Sequence, residues 1–180
     1  MTIPRNLSNL APGADTSGVL GVAKGGTGTS TAFTTGSLIF AGSGGTYTQN
    51  NSGLFWDNTN TRLGVGTASP AVTFDVNGGG AGNTVAVSAS AIDCATGSYF
   101  TKTVSGTLTW TFTNVPASRS VTVILRLTNG GSAAQTWPAS VKWPGGTAPT
   151  LTSSGTDVLG FITTDGGTNW AGLVLGLDVK

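Results

Sequence analysis

The sequence predicts an all-β protein, and three observations carry that expectation. Only 8% of its 180 residues are charged, with no Glu and no His, so no window can build the ion-paired outer face of a water-exposed helix. Thr, Val and aromatic residues are plentiful instead, and these suit a pleated, half-buried surface better than a helix. Short apolar runs alternate with polar residues and are punctuated by 29 glycines and by Asn-Gly, Pro-Gly and Asp-Gly turns.

The chain divides into three zones. Residues 1–35, with "NLAPGADTSGVLGVAKGGTGTSTAFTTG", are rich in Gly, Ser, Thr and Ala and show no sustained apolar period. They read as an extended tether, with "GVL" and "GVA" as small apolar bites for a groove on another protein. Residues 36–83 hold short strand candidates, "SLIFA", "TYTQ", "GLFWD", "RLGVG" and "AVTFDV", at the spacing of a β-repeat shaft. In "WDNTNTR" the Asp57-Asn58 pair suits a tight turn, since both tolerate left-handed backbone and bond their own main chain. "NGGGAGN", residues 77–83, closes the zone as a flexible boundary.

Residues 84–180 are denser. In "TLTWTFT" Leu108, Trp110 and Phe112 alternate with Thr, a half-buried strand. "SVTVILRLT" places Val121, Val123, Leu125 and Leu127 on one face and Thr122, Ile124 and Arg126 on the other. "NWAGLVLGLDV" aligns Ala171, Leu173, Leu175, Leu177 and Val179. With turns at Asn129-Gly130, Pro144-Gly145 and Asp165-Gly166, this zone reads as an antiparallel β-sandwich.

Composition excludes several functions. A net charge of +1 with scattered basic residues leaves no basic stripe, so nucleic acid is not an expected partner. No apolar run reaches membrane-spanning length, and the first residues lack a signal-peptide core, so neither membrane insertion nor classical secretion is expected. One cysteine, Cys94, allows no internal disulfide and reads as a small buried apolar side chain. Yet 38% of residues are hydrophobic, so there is material to bury and little charge to keep a bare monomer soluble.

No catalytic set emerges. Without His, His-based triads are impossible, and no Ser sits in a G-x-S-x-G elbow. The seven Asp (15, 57, 75, 93, 157, 165 and 178) lie singly in turn-like or strand-end contexts. "KGGTGTS" has its Lys misplaced for a phosphate loop, and "GVGTAS" lacks a third glycine and a following helix. No enzyme activity, cofactor or metal is expected. Trp137-Pro138 and Trp143-Pro144, with Lys142 between them, are the candidates for stacking on a sugar, although Trp more often packs in a core or an interface.

The stretch "GSLIFAGSGGTYTQNNSGLFWDNTNTRLGVGTASPAVTFDV" resembles a repeat of bacteriophage tail fibres and related viral appendages. The leader "NLAPGADTSGVLGVAKGGTGTS" is similar to openings of fibre and virion proteins, and "TWPASVKWPGGTAP" with "TTDGGTNWAGLVLG" to the β-domains that end them. The resemblance implies an intertwined homotrimer whose N-terminal leader docks on capsid, portal or tail proteins of a virion. No self-cleaving chaperone domain follows the repeat, and the chain is short for a tail fibre, so a stubby head fibre or capsid decoration also fits. Phe55, Trp56, Leu63, Val65 and Phe74 are then expected to pack in the core or between subunits. A glycan-binding host-attachment module with Trp137, Lys142 and Trp143 at its site is the alternative.

Overall fold

The computed structural model describes residue 22 and residues 26–180, and the chain is all-β. The tether expected over 1–35 falls mostly outside these residues; 26–34 carry no strand. Every helical segment among the described strands is a single three-residue turn, so no helix there is long enough to cross a membrane. The chain forms two compact units that divide between Gly80 and Ala81, within the glycine-rich stretch 77–83.

The first unit opens with β1 (Ile39–Ala41) and β2 (Tyr47–Gln49), an antiparallel pair. Gln49 fixes the approach to it: its side-chain oxygen accepts from the Thr34 amide (2.8 Å) and the Ser37 hydroxyl, and its amide donates to Thr34 Oγ1 (3.1 Å). Then β3 (Leu54–Asp57), β4 (Arg62–Val65) and β5 (Phe74–Val76) form a three-stranded sheet in that order, β3–β4 antiparallel and β4–β5 parallel.

The β3–β4 turn follows the Asp57 carboxylate. Its Oδ1 accepts from the amides of Thr59 (3.0 Å) and Asn60 (3.1 Å), and its Oδ2 from the Asn60 side chain (2.8 Å). The left-handed residue is Thr61 (φ 53°), not Asp57 or Asn58. Asp57 acts through its side chain, and the chain reverses only after its three bonds are made.

The second unit contains β6 (Thr84–Ala86), β7 (Ala91–Asp93), β8 (Tyr99–Thr103), β9 (Leu108–Thr109), β10 (Thr111–Thr113), β11 (Val121–Thr128), β12 (Gln135–Thr136), β13 (Val141–Lys142), β14 (Thr156–Thr163) and β15 (Trp170–Gly176). Six of them make one sheet in the order β13-β15-β14-β11-β8-β6. Pairing is mixed, which corrects the expectation of an antiparallel unit. Only β11–β14 and β14–β15 are antiparallel, whereas β8–β11, β6–β8, β13–β15, β7–β10 and β9–β12 are parallel. Parallel pairs join segments distant in sequence, so local turn signals are silent about them.

Alternation decides which face is buried. Val123, Leu125 and Leu127 of β11 are fully buried, Val121 is half-buried, and Thr122 and Arg126 are exposed, as the sequence pattern requires. On the same face Phe100, Leu159, Phe161 and Trp170 complete the sheet's contribution to the core. The segment 108–113 crosses this core. It breaks at the buried Trp110, whose Nε1 donates to Gln135 Oε1 (3.0 Å), so β9 and β10 find different neighbours, β12 and β7.

One buried carboxylate closes this unit. Asp157 is fully buried, and its oxygens accept from the Thr152 amide (2.7 Å), the Thr152 hydroxyl (2.7 Å) and the Asp178 amide (3.1 Å). A second carboxylate organises the β14–β15 turn. Asp165 accepts from the Thr163 hydroxyl (2.8 Å), the Asn169 amide (3.0 Å) and the Asn169 side chain (3.0 Å), while Gly166 and Gly167 take left-handed backbone.

Asp157→Ala removes a fully buried side chain and the three hydrogen bonds that tie Thr152 and Asp178 to it. It is expected to cost about 2–4 kcal/mol of unfolding free energy in a denaturant titration, whereas a substitution at exposed Ser153 costs under about 0.5 kcal/mol. The bonds from Asn169 and then Thr163 hold the Asp165 carboxyl down to about 2. Its folded value lies below the unfolded one, so its contribution to the turn is complete above the ordinary carboxylate range and fades as pH falls towards 2. Titration followed at the Asp165 side chain by NMR checks this, and a midpoint near 4 would contradict it.

Candidate functional site

The feature least explained by folding is on the first unit. Register places Leu54 opposite Val65 and Val65 beside Val76; one step along, Trp56 lies opposite Leu63 and Leu63 beside Phe74. Paired residues share a face, so these six form an apolar grid of two rows by three strands. It contains no polar side chain. Phe74 is 61% exposed, Val76 41%, Leu54 38% and Trp56 37%, with Leu63 and Val65 half-buried.

The opposite face is covered by the chain itself. Arg62 Nη1 donates to the carbonyl of buried Pro70 (2.9 Å), and the Ala71 amide donates to Asp75 Oδ2 (2.7 Å), which ties the 66–73 crossover across that side. Gly64 is buried there because a β-carbon would collide with the backbone of Thr67. Gly66 takes φ 74°, and a β-carbon there would run into the Asn77 carbonyl. The glycines of "RLGVGT" thus let the chain pass close over the sheet.

Four of the five residues expected to pack, Trp56, Leu63, Val65 and Phe74, therefore come together on one face. Phe55 does not; it points to the covered face, half-buried, with its ring against Gly36. Leu54 and Val76 complete the grid. Strict two-residue alternation through "LFWD" and "FDV" is the signal that pairs Leu54 with Trp56 and Phe74 with Val76.

Trp137, Lys142 and Trp143 lie in the second unit. Trp137 stacks on buried Trp110 (centroids 5.4 Å, 11° between planes) and leans on Phe161 (5.2 Å). Trp143 meets Trp137 edge-on at 5.6 Å and Phe161 at 5.7 Å, and its ring sits where a Gly172 side chain would go. Both indoles are half-buried members of the core cluster that also stacks Phe112 on Trp170 (4.2 Å). Lys142 is exposed, and its ammonium donates to the Ala139 carbonyl (2.8 Å). It lines a shallow hollow of about 340 Å³ with Ile162, Asp165, Asn169 and Ala171, away from the Trp137–Trp143 pair in the sense that neither indole lines it.

Titratable groups do not converge. Among the described residues no three Cys or Asp side chains gather as metal ligands would. Asp57, Asp75, Asp93, Asp157 and Asp165 each accept bonds from neighbouring amides or hydroxyls, and Asp178 pairs with Lys180 at 2.9 Å. Cys94 is half-buried against the core, and burial first, then the Asp93 charge, pushes its thiol up to about 11. That is the opposite of an activated nucleophile.

In comparisons with known proteins, no family model, no curated protein and no solved structure matches the chain.

Trp143→Ala opens a hole over Phe161 and Gly172, and we expect it to lower unfolding free energy by about 2–4 kcal/mol. Thermal unfolding at neutral pH measures it; an unchanged midpoint would show that the ring is free for a ligand.

Proposed function

We propose that the chain is a structural protein of a bacteriophage particle, a short trimeric fibre or decoration. Its N-terminal leader anchors it to capsid or tail, its first unit is the shaft and its second, a two-layer β-sandwich, points outward. The work is mechanical and adhesive rather than catalytic. The observation that supports this best is the six-residue apolar grid, Leu54, Trp56, Leu63, Val65, Phe74 and Val76.

The physical case is direct. The sheet that bears the grid has three strands of three or four residues each, too few to form an independent core. Its one long connection already covers the opposite face. Apolar surface stays favourable to remove from water at about 25 cal/mol per Å², so an all-apolar face with no cover among the described residues is a face for association. A threefold arrangement lets three such faces pool their side chains around one axis, and closed symmetry stops the assembly from growing without limit. The fibre-like pattern of "LFWDNTNTRLGVGTASPAVTFDV" points the same way, since the grid residues are those of the repeat.

The glycan-binding alternative has less behind it. Trp137 and Trp143 spend their rings on the core, which leaves Lys142 and the hollow beside it as the remaining polar surface for a sugar.

Native mass spectrometry of the full chain at micromolar concentration is expected to give about three times the 17.9 kDa chain mass. Phe74→Asp places a charge in the centre of the proposed contact and is expected to weaken assembly at least tenfold, about 1.4 kcal/mol or more. A wild-type monomer, or a Phe74→Asp protein that assembles as well as wild type, would overturn the role given to the grid.

A further inference from the structure

The second unit has a core of its own, yet one face of its large sheet is left bare. Register assigns that face residue by residue. Ile124 sits between Tyr99 and Gly160, Gly160 beside Leu173, and Ile162 beside Ala171. A β-carbon on Gly160 would touch the Leu175 side chain at 3.3 Å, so Leu175 lies flat over Gly160 on the same face. Leu175 is 55% and Ile162 38% exposed, with Ile124, Val158 and Leu173 half-buried around them.

We infer that this outer sheet face, centred on Ile162 and Leu175, is a second contact between copies of the chain, separate from the shaft grid. The inference rests on the self-association proposed above and adds a surface to it.

Two features select another copy as the occupant. The first is exposure: Leu175 and Ile162 stand open to water on one sheet face, at 55% and 38%.

The second is charge. At one end of the patch Arg126, beside Val158, is exposed and has no carboxylate partner among the described residues. At the other end lies the exposed carboxylate of Asp165, in the hollow with Ile162 and Ala171. The two are seven residues of β14 and its turn apart, about 20 Å of extended chain. Lys142 lines the same hollow but turns its ammonium onto Ala139. Asp165 Oδ2 accepts a single bond, from Asn169, and keeps capacity for an arginine. A face with an apolar centre, a free cation at one end and a carboxylate at the other is complementary to itself. Two copies placed face to face and antiparallel meet Arg126 with Asp165 at both ends and cover the centre, so this contact joins two trimers across a twofold axis.

The test uses the full chain, with association followed by light scattering over a concentration series. Ile162→Asp/Leu175→Asp is expected to raise the dissociation constant at least tenfold, while Ser105→Asp, on an exposed loop, leaves it unchanged. Arg126→Ala, at an exposed position where folding is not at stake, is expected to weaken assembly severalfold and to flatten its dependence on salt. Circular dichroism verifies that each variant is folded. If wild type assembles and both face variants assemble equally well, the inference is overturned and the shaft grid stands. If wild type is a monomer at all concentrations, this contact and the proposed self-association fall together.

Discussion

A three-stranded sheet has two faces, and among the described residues of the first unit the chain covers one. That constraint governs the rest of the unit. The eight residues between β4 and β5 must cross to reach a parallel neighbour, and by crossing they roof the face that carries Phe55, Gly64 and Asp75. Arg62, Asp75 and the bare backbone of Gly64 exist to hold that roof in place. Nothing remains for the other side, where Leu54, Trp56, Leu63, Val65, Phe74 and Val76 stand in two apolar rows. Cover for these rows has to come from outside the sheet.

The second unit solves the same problem internally. Its six-stranded sheet packs one face against the segment 108–113 and the loops that bear Trp137 and Trp143, and rings fill the gap. Trp110, Trp137, Phe161 and Trp143 form one continuous set of ring contacts, with Phe112 and Trp170 attached through Phe161. Large flat side chains suit a layer built of two- and three-residue strands, which cannot supply a dense row of aliphatic residues. The polar counterpart is Asp157, which joins the loop at Thr152 to the last strand's exit at Asp178. Three donors satisfy the oxygens of this buried side chain.

Much of this was legible in the sequence where local physics decides it. Each of the five short runs of the middle zone contains a strand, and the alternation through "VTVILRLT" sorts its residues between core and surface. The turns at Asn129, Pro144 and Asp165 likewise follow from residues that favour reversed backbone. What was not legible depends on partners remote in sequence. The parallel pairings of β7 with β10 and β9 with β12 leave no local trace, so the unit read as antiparallel. Phe55 shows the same limit at the site: periodicity separates it from Trp56, but only the position of the 66–73 roof says which face is covered. Trp143 was ambiguous because a half-buried indole on a Pro-Gly loop looks alike in a core and in a sugar site. In the structure its ring lies in the space that a Gly172 side chain would fill.

Low charge links the two units. With 8% of residues charged, a domain has few groups to spare for keeping its surface apart from its neighbours. Here the described aspartates are spent on structure: they order turns at Asp57 and Asp165, anchor the roof at Asp75 and lock the interior at Asp157. The surface that remains is rich in hydroxyls and glycine backbone, with apolar side chains exposed on two sheet faces. Hydroxyl surface is neutral to association, whereas apolar faces favour it, and little net charge opposes close approach.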